Sequence, residues 1–207
     1  MTPKWTSDNI PNQAGKTAIV TGANSGIGYE MARALAHKNV MVILACRSPD
    51  KGEAAVRQIN QEYPQSQAQF ILLDLADLAS VRRFSAGFTH RHDRLDILIN
   101  NAGIMRTPFG RTADGFELQF GTNHMGHYAL TGLLLELITC TPKARVVTVS
   151  SGGERFSQID LDNLNAEKGY DPGYAYGQSK LANLLFTYEL QWRFDSSGVD
   201  TIAAAAH

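Results

Sequence analysis

Tyr176 and Lys180 are the two residues of this sequence whose types and spacing point most directly to catalysis. Residues four apart lie on one face of a helix, so their side chains can meet. A phenol is a poor acid at neutral pH, but a nearby ammonium group favours the phenolate and assists proton transfer. Such a pair also arises by chance, so the rest of the chain has to support it.

A serine lies where this pair needs a partner for a substrate oxygen. The β-branched run Val146 to Val149 predicts a buried strand, and Ser150 and Ser151 follow at its end. Tyr176 begins a helical pattern of apolar residues that continues to Tyr188. We therefore expect a strand end and a helix to place the Ser151 hydroxyl on the substrate oxygen that receives a proton from Tyr176.

A glycine-rich turn joins a predicted strand, Lys16 to Thr21, to a predicted helix, Ile27 to Lys38. Its spacing is G-x-x-x-G-x-G, which differs from the standard dinucleotide fingerprint. Backbone N–H groups at a helix N-terminus face an anion and glycines allow close approach, so the turn predicts a phosphate cradle. A purely structural turn is the alternative. The candidate phosphate-binding residues are Gly22, Asn24, Ser25, Gly26, Ile27 and Gly28.

The end of the second predicted strand, Val40 to Ala45, is where dinucleotide folds select their cofactor. No acid that would bind a ribose 2′-hydroxyl follows until Asp50, whereas Arg47 suits a 2′-phosphate through a charge-assisted contact. This pattern favours NADP over NAD. The alternative is an arginine that is simply solvated in a loop. The next predicted helix spans Asp50 to Tyr63.

The third predicted strand, Gln69 to Leu73, is followed by Asp74 and Leu75. An acid at the carboxyl end of a parallel strand lies on the ligand side of a doubly wound sheet. Asp74 therefore either reaches an adenine amino group or caps the helix that begins near Leu78.

The fourth predicted strand, Leu95 to Ile99, runs into Asn100-Asn101-Ala102-Gly103. Small and amide-bearing residues at a strand end let a cofactor lie against the backbone, which makes Asn101, Ala102 and Gly103 candidate contacts. A simple turn is the alternative.

A long helix predicted from Phe116 to Leu137 has Asn123 in its interior, where asparagine is mildly unfavourable. We expect its side chain to bind a buried water or a backbone carbonyl. His124 and His127 are close by, but no further ligand accompanies them, so no metal site is predicted.

Strands and helices alternate along the chain, with further strands predicted over Ala144 to Val149 and Val199 to Ala205. This order predicts an α/β fold, a doubly wound parallel sheet of the Rossmann type with helices on both faces. The connection from Ser151 to Gly173 has a length typical of functional loops. No linker or repeat divides the sequence, so residues 1–207 are predicted to form a single cofactor-binding and catalytic domain.

Composition narrows the functional classes. Of 207 residues, 43% are apolar and 19% are charged, which is typical of a globular protein, and a net charge of −1 does not favour nucleic acid or an anionic membrane. No apolar run reaches the ~20 residues of a membrane span. The segment Met1 to Gln13 lacks a signal-peptide core, so a cytoplasmic location is expected. Cys46 and Cys140 are predicted to be buried free thiols.

Taken in order, these motifs resemble the short-chain dehydrogenase/reductase family from about Lys16 to the end. The T-G-x-x-x-G-x-G, N-N-A-G and Y-x-x-x-K motifs are weak singly but specific as an ordered set. The runs Ala45 to Arg47 and Asn123 to His127, and the long spacing from Ser151 to Tyr176, are similar to retinol dehydrogenase-like and protochlorophyllide reductase-like members.

The resemblance implies an NADP cofactor held by the predicted contacts. The three glycines of the turn hold the phosphates and Arg47 binds the 2′-phosphate. Asp74 meets the adenine, and Asn101 packs beside the adenosine ribose. Leu75, Tyr176 and Lys180 are further candidate cofactor contacts.

The resemblance also implies the catalytic roles. Tyr176 is the general acid in reduction and the general base in oxidation. Lys180 stabilises its phenolate and binds the nicotinamide ribose. Ser151 polarises the carbonyl, and Asn123 supports a water in a proton relay.

Family members continue beyond the sixth strand with a Pro-Gly turn, a mobile substrate lid, further helices and a seventh strand, whereas this sequence ends at His207. We therefore expect an exposed sixth strand and a site that lacks its lid. A truncated chain and a naturally shortened form both fit the sequence.

The leading hypothesis is an NADP-dependent carbonyl reductase or alcohol dehydrogenase, because the set of Asn123, Ser151, Tyr176 and Lys180 is complete. A non-catalytic NADP-binding or scaffold protein is the alternative, since a fold does not guarantee activity. Light-driven reduction of a tetrapyrrole is a third hypothesis, which rests on branch resemblance alone.

The expected partner is a small carbonyl or alcohol substrate, for which Ile104, Met105 and Phe156 indicate an apolar body. Relatives often pair through helices that correspond to those starting near Phe116 and Tyr174. The sequence does not distinguish such faces from core faces, so a monomer and a homo-oligomer both stay open.

Overall fold

The structure, a computed structural model, describes residues 5–152 and 157–207. Six parallel strands form one sheet in the order β3-β2-β1-β4-β5-β6. The strands are β1, Thr17–Thr21; β2, Met41–Cys46; β3, Gln69–Leu72; β4, Ile97–Asn100; β5, Arg145–Val149; and β6, Ile202–Ala206. The predicted α/β, doubly wound parallel sheet is confirmed, with strand bounds shifted by a few residues at most.

Seven α-helices are assigned in the described part of the chain. They are α1, Gly26–His37; α2, Pro49–Glu62; α3, Leu78–Thr89; α4, Leu118–Phe120; α5, Gly126–Leu133; α6, Leu135–Cys140; and α7, Pro172–Ser196. A short 3₁₀ turn, Ser7–Asn9, precedes β1. The side chain of Asp171 caps α7 by accepting the N–H of Tyr174.

Both faces of the sheet are covered by helices, which explains why its central strands are almost continuously apolar. The face that includes Ile19 and Leu98 packs against α3, α5 and α7. The opposite face, which includes Val20 and Val42, packs against α1 and α2. The two faces of the sheet are therefore apolar, and the candidate site residues lie at the carboxyl ends of its strands.

The prediction of one continuous helix from Phe116 to Leu137 is wrong. A π-helical turn at Gly121–Met125 separates α4 from α5, because the N–H of Gly126 bonds to the carbonyl of Gly121, five residues earlier. The helix also ends and restarts at Leu134 before α6. The π turn contains Asn123, whose side chain is committed to partners outside the helix.

The sequence also leads to predictions about the sixth strand and the two cysteines. β6 forms one edge of the sheet, and Ile202 within it is 43% exposed. Cys46 is buried as predicted, but the prediction is wrong for Cys140, which is exposed because it ends α6 at the surface. Across residues 5–152 and 157–207, no helix combines the length and the apolar character needed to cross a bilayer.

Candidate active site

Most predicted cofactor residues surround one cavity at the carboxyl edge of the sheet. β1 and β4 are neighbours, but the chain leaves them toward opposite faces, so a crevice opens between them. The cavity has a volume of about 510 Å³. Its lining consists of Gly22, Asn24, Ser25, Ile27, Gly28, Ala45, Cys46, Arg47, Ser48, Lys51, Leu73, Asp74, Leu75, Asn101, Ala102, Gly103, Ile104 and Thr122. Of the predicted contacts, only Gly26, Tyr176 and Lys180 are not part of this lining.

The glycine-rich turn has no room for side chains at two positions. Gly22 has a φ of 65°, and a Cβ added there would lie 3.0 Å from Ala102 Cα. A Cβ on Gly28 would overlap the side-chain nitrogen Nδ2 of Asn101 and lie 2.7 Å from the Gly22 carbonyl oxygen. α1 begins at Gly26, so the free N–H groups of its first turn stand at the cavity. The turn fits a phosphate that approaches the backbone closely.

Three polar residues stand where β2 ends. Arg47, Ser48 and Lys51 all line the cavity. Ser48 is the N-cap residue of α2, yet its hydroxyl bonds to no backbone N–H. Within the described parts of the chain, neither Arg47 nor Lys51 has a salt-bridge partner. The two cations and the start of α2 make this end of the cavity electropositive. Ser48 and Lys51 lie outside the predicted set, although their place on the first turn after Arg47 was visible in the sequence.

Asp74 lines the cavity, and the helix-capping interpretation of this residue is wrong. Its Oδ1 accepts the N–H of Ala76 at 2.9 Å within the turn after β3. Asp77 caps α3 instead, by accepting the N–H of Ala79. The remaining acceptor capacity of the Asp74 carboxylate stays at the cavity wall.

The segment after β4 is tied to β1 across the crevice. The backbone N–H groups of Asn101 and Ala102 each donate to the Thr21 hydroxyl at 2.9 Å. The Asn101 side chain donates to the Thr21 carbonyl at 2.8 Å. These three bonds make the segment a fixed wall of the cavity rather than a surface turn.

Asn123 joins that wall to α7. It is fully buried, its Oδ1 accepts the N–H of Ile104, and its Nδ2 donates to the Ile104 carbonyl, both at 2.9 Å. Nδ2 also donates to the Ser179 hydroxyl at 3.0 Å. The expected bond from Asn123 to a backbone carbonyl is therefore made to Ile104.

Two bonds fix α7 against the end of β5. Lys180 Nζ donates to the Val149 carbonyl at 2.9 Å, and the Ser150 hydroxyl donates to the Lys180 carbonyl at 3.0 Å. Lys180 Nζ lies 5.8 Å from the centre of the Tyr176 ring, so the predicted pair shares one helix face. Burial lowers the pKa of Lys180 to about 8. A Cβ on Gly103 would lie 3.5 Å from Nζ, which places the amine beside the cavity wall.

Ser151 is the second residue after β5 and is partly buried at the same sheet edge. Phe156, one of three residues that indicated an apolar substrate, lies outside the described residues. So does the beginning of the N-terminal segment, residues 1–4.

Gln119, Asn123 and His127 form a buried polar stripe at four-residue spacing, and each is at most 1% exposed. The His127 ring lies with Nδ1 2.9 Å from the Asn123 carbonyl and Nε2 2.8 Å from the Thr21 hydroxyl. Burial is the main reason that the pKa of His127 is lowered to about 4, so the ring is neutral at pH 7. Only Asn123 belongs to the predicted set, although the spacing of polar residues within an apolar helix was a usable signal.

Residues 16–206 match the model of the short chain dehydrogenase family. The chain belongs to that family. It is 50% identical over 187 residues to mouse retinol dehydrogenase 11, covering 90% of this chain and 59% of that protein. It is 48% identical over 189 residues to human retinol dehydrogenase 12, covering 91% of this chain and 60% of that protein. The chain lies in the retinol dehydrogenase-like branch and spans about 60% of the length of these relatives.

Several solved structures share the fold. A protein from Mycobacterium paratuberculosis superposes with a TM-score of 0.89 at 49% identity, covering 98% of this chain and 71% of that chain. Pseudomonas aeruginosa RhlG, solved as an NADP active-site complex, gives a TM-score of 0.74 at 25% identity, covering 94% and 71%. A Burkholderia phymatum member in complex with NAD gives 0.75 at 20% identity, covering 95% and 66%, and shows the fold alone.

Proposed function

We propose that this chain is the cofactor-binding and catalytic domain of an NADP-dependent oxidoreductase that interconverts a carbonyl and an alcohol by hydride transfer. The observation that carries the proposal is the junction at Gly103. This residue lines the cavity, and its backbone adjoins both the Asn123 side chain and Lys180 Nζ. Lys180, which lies near the Tyr176 ring, therefore adjoins a residue of the cavity wall.

The choice of NADP rests on the electropositive end of the cavity. Arg47 offers a planar, permanently charged donor for a 2′-phosphate, and Lys51 adds a second cation in the first turn of α2. Both cations line the cavity, whereas Asp50 does not. The family contains both NADP and NAD complexes, so this local charge carries the choice.

The remaining cavity residues divide along the length of a dinucleotide. The turn Gly22 to Gly28 holds the diphosphate with its backbone N–H groups. Asp74 and Leu75 would bind the adenine, and the segment Asn101 to Gly103 would contact the adenosine ribose.

In the proposed catalytic step, each of the four candidate catalytic residues has one function. The bound nicotinamide supplies the hydride. In reduction, Tyr176 would give its hydroxyl proton to the carbonyl oxygen while the carbonyl carbon accepts the hydride, so that the carbonyl becomes an alcohol. The Ser151 hydroxyl donates a hydrogen bond to the same oxygen, and the Lys180 ammonium stabilises the phenolate that Tyr176 leaves. Asn123 supports the water that returns a proton to Tyr176. Oxidation reverses these transfers.

The substrate side is apolar. Ile104 lines the cavity directly after Gly103, and Met105 is 62% exposed beside it. The similar proteins from mouse and human are named retinol dehydrogenases. We therefore propose an apolar aldehyde or ketone, and retinal is the first compound to test.

Titration of the 207-residue chain with NADPH and NADH, followed by fluorescence, tests the cofactor proposal. We expect tighter binding of NADPH. Arg47→Met and Lys51→Met should each weaken NADPH by ~10-fold and leave NADH within ~2-fold, as expected for loss of one charge-assisted contact. Arg57→Met is the matched control, since this cation lies on the same helix but pairs with Glu53. Equal affinity for the two cofactors would remove the argument for NADP.

Reduction of retinal by NADPH tests catalysis. Tyr176→Phe removes only the hydroxyl, so the rate should fall by a factor of about 100 or more while NADPH affinity is retained. Activity retained in this variant would exclude Tyr176 as the acid. A wild-type chain that binds NADPH but reduces no carbonyl would support the non-catalytic alternative.

We further propose that the chain forms a homodimer through the outer faces of α5 and α7. Leu185, Tyr188 and Trp192 are 50%, 68% and 63% exposed and recur at helical spacing, and Tyr128 of α5 is 55% exposed. Sedimentation of the wild type and of Tyr188→Lys tests this, because a charge on the exposed apolar face of α7 should prevent pairing and produce monomers. The cytoplasmic location stays a prediction, which cell fractionation would test.

A further inference from the structure

Gln119 carries a fully buried amide that has no part in the proposed chemistry. Its Oε1 accepts the N–H of Arg106 at 2.7 Å. Its Nε2 donates to the Tyr170 hydroxyl at 2.8 Å and to the Pro172 carbonyl at 3.0 Å. Both hydrogens and the oxygen of one side chain are therefore bound to partners outside its own helix, α4.

These partners belong to two segments that flank the substrate side. Arg106 lies two residues after Ile104, which lines the cavity. Pro172 is the first residue of α7, the helix of the candidate catalytic pair. Tyr170 also links the two segments directly, because its hydroxyl donates to the Thr107 carbonyl at 2.7 Å. We call this set of bonds around Gln119 and Tyr170 the clasp.

The clasp holds a backbone conformation that is unfavourable by itself. Arg106 has a φ of 51°, in the left-handed region that side chains other than glycine rarely adopt. Such conformations persist where surrounding bonds determine them, and they cluster at ligand sites. Since Gln119 accepts the Arg106 N–H, loss of its amide should let the segment relax.

We propose that Gln119 is a positioning residue for the carbonyl substrate, which acts with Tyr170 to fix Arg106 and Thr107. These residues continue the wall that Asn123 holds at Ile104. This inference rests on the proposed function. The cofactor wall is anchored separately, because Asn101 and Ala102 bond to Thr21 and not to the clasp. Substrate binding should therefore depend on the clasp, whereas cofactor binding should not.

Steady-state reduction of decanal and retinal by NADPH tests the proposal with Gln119→Met and Tyr170→Phe. The matched control is Gln191→Met. Gln191 is a glutamine of α7 that accepts the N–H of Ala203 at 2.7 Å, in the distant half of that helix. Its replacement removes a comparable amide-to-backbone bond without touching residues 104–107.

Each clasp variant should raise KM for the aldehyde by ~10-fold, change kcat by less than ~3-fold and leave the NADPH dissociation constant within ~2-fold, as expected when substrate binding is weakened equally in the ground state and the transition state. The double variant should be little worse than Gln119→Met, because the two residues act in one network. A KM increase of the same size in Gln191→Met, or a parallel loss of kcat and NADPH affinity in the clasp variants, would overturn the proposal.

Hydrogen exchange provides a readout that does not need turnover. The Arg106 amide should exchange faster in Gln119→Met, while the amides of Asn101 and Ala102 keep their protection. If the wild type reduces neither aldehyde, the proposed function fails. The hydrogen-exchange comparison then tests by itself whether Gln119 holds the segment around Arg106. Unchanged exchange at Arg106 would overturn it.

Discussion

The imidazole of His127 and the hydroxyl of Thr21 meet at 2.8 Å at the carboxyl end of β1. The Thr21 oxygen already accepts two backbone N–H groups of the N-N-A-G segment, so its own hydrogen is directed to His127 Nε2, which is nearer than the Ile99 carbonyl at 3.3 Å. On the other side, the Asn123 carbonyl can only accept, so His127 Nδ1 carries the ring proton. One neutral imidazole thus connects the cofactor wall to the π turn.

This connection should make stability depend on pH. The pKa of His127 is about 4 in the folded chain against an ordinary value of 6.5, so between these values the unfolded chain binds a proton that the folded chain does not. The neutral His127 ring contributes fully to the free energy of unfolding above pH 6.5, and this contribution is lost as the pH falls from 6.5 through 4. The loss amounts to up to ~3 kcal/mol. Urea unfolding at several pH values measures it.

The pH series needs a variant that lacks the group. His127→Gln should be less stable at pH 7 and should show a flatter decline between pH 6.5 and 4, whereas replacement of the exposed His90 by Gln should leave the wild-type slope. A wild-type slope in His127→Gln would show that other groups cause the acid sensitivity.

Lys180 should impose an upper limit on the pH range of reduction. Burial lowers its pKa to about 8, and a deprotonated amine no longer stabilises the phenolate of Tyr176. We expect kcat/KM for NADPH, which reports the free enzyme, to fall ~10-fold per pH unit above about pH 8. Lys180→Arg keeps its charge throughout this range, so its maximal rate should be lower but its descending limb should move upward. The Lys51→Met variant should keep the limb near pH 8.

Gly28 should not tolerate alanine. The Cβ of an alanine at this position would overlap the side-chain nitrogen Nδ2 of Asn101 and lie 2.7 Å from the Gly22 backbone oxygen, which cannot easily move. Gly28→Ala should therefore lower the free energy of unfolding by ~1–3 kcal/mol and weaken NADPH binding. Gly132→Ala is the opposite case, since a Cβ there meets nothing within 4 Å on α5, and it should stabilise by ~0.5–1 kcal/mol. Thermal unfolding and NADPH titration of both variants decide the matter.

Asn123 should be a major contributor to stability as well as to the site. Asn123→Leu keeps the volume but leaves the N–H and carbonyl of Ile104 without their side-chain partner, and it removes one of the two bonds of the Ser179 hydroxyl. We expect the free energy of unfolding to fall by ~2–4 kcal/mol, because buried polar groups without partners are costly. Denaturant unfolding measures this loss, and Asn163→Ala, at a partly exposed position, should cost less than ~1 kcal/mol. Similar losses in the two variants would contradict the assignment.

Local pattern was enough to place most of the elements and the cavity. The apolar run before Gly22, the glycines themselves and the strand that ends at Asn100 follow from periodicity and turn chemistry, which act over a few residues. Because carboxyl ends of parallel strands share one edge, the order of elements also placed Arg47 and Asp74 on the ligand side.

The partners of buried polar groups were decided only by the tertiary structure. The sequence contained Gln119, Asn123 and His127 at regular spacing, but their partners lie in segments that the chain brings together from far apart, as with Thr21 and His127, which are 106 positions apart. The same holds for the π turn, which no propensity predicts, and for Asp77 rather than Asp74 as the cap of α3. Apolar burial is non-directional, so its periodicity can be read from sequence, whereas a hydrogen bond needs one partner at one distance and angle, which only the folded chain supplies.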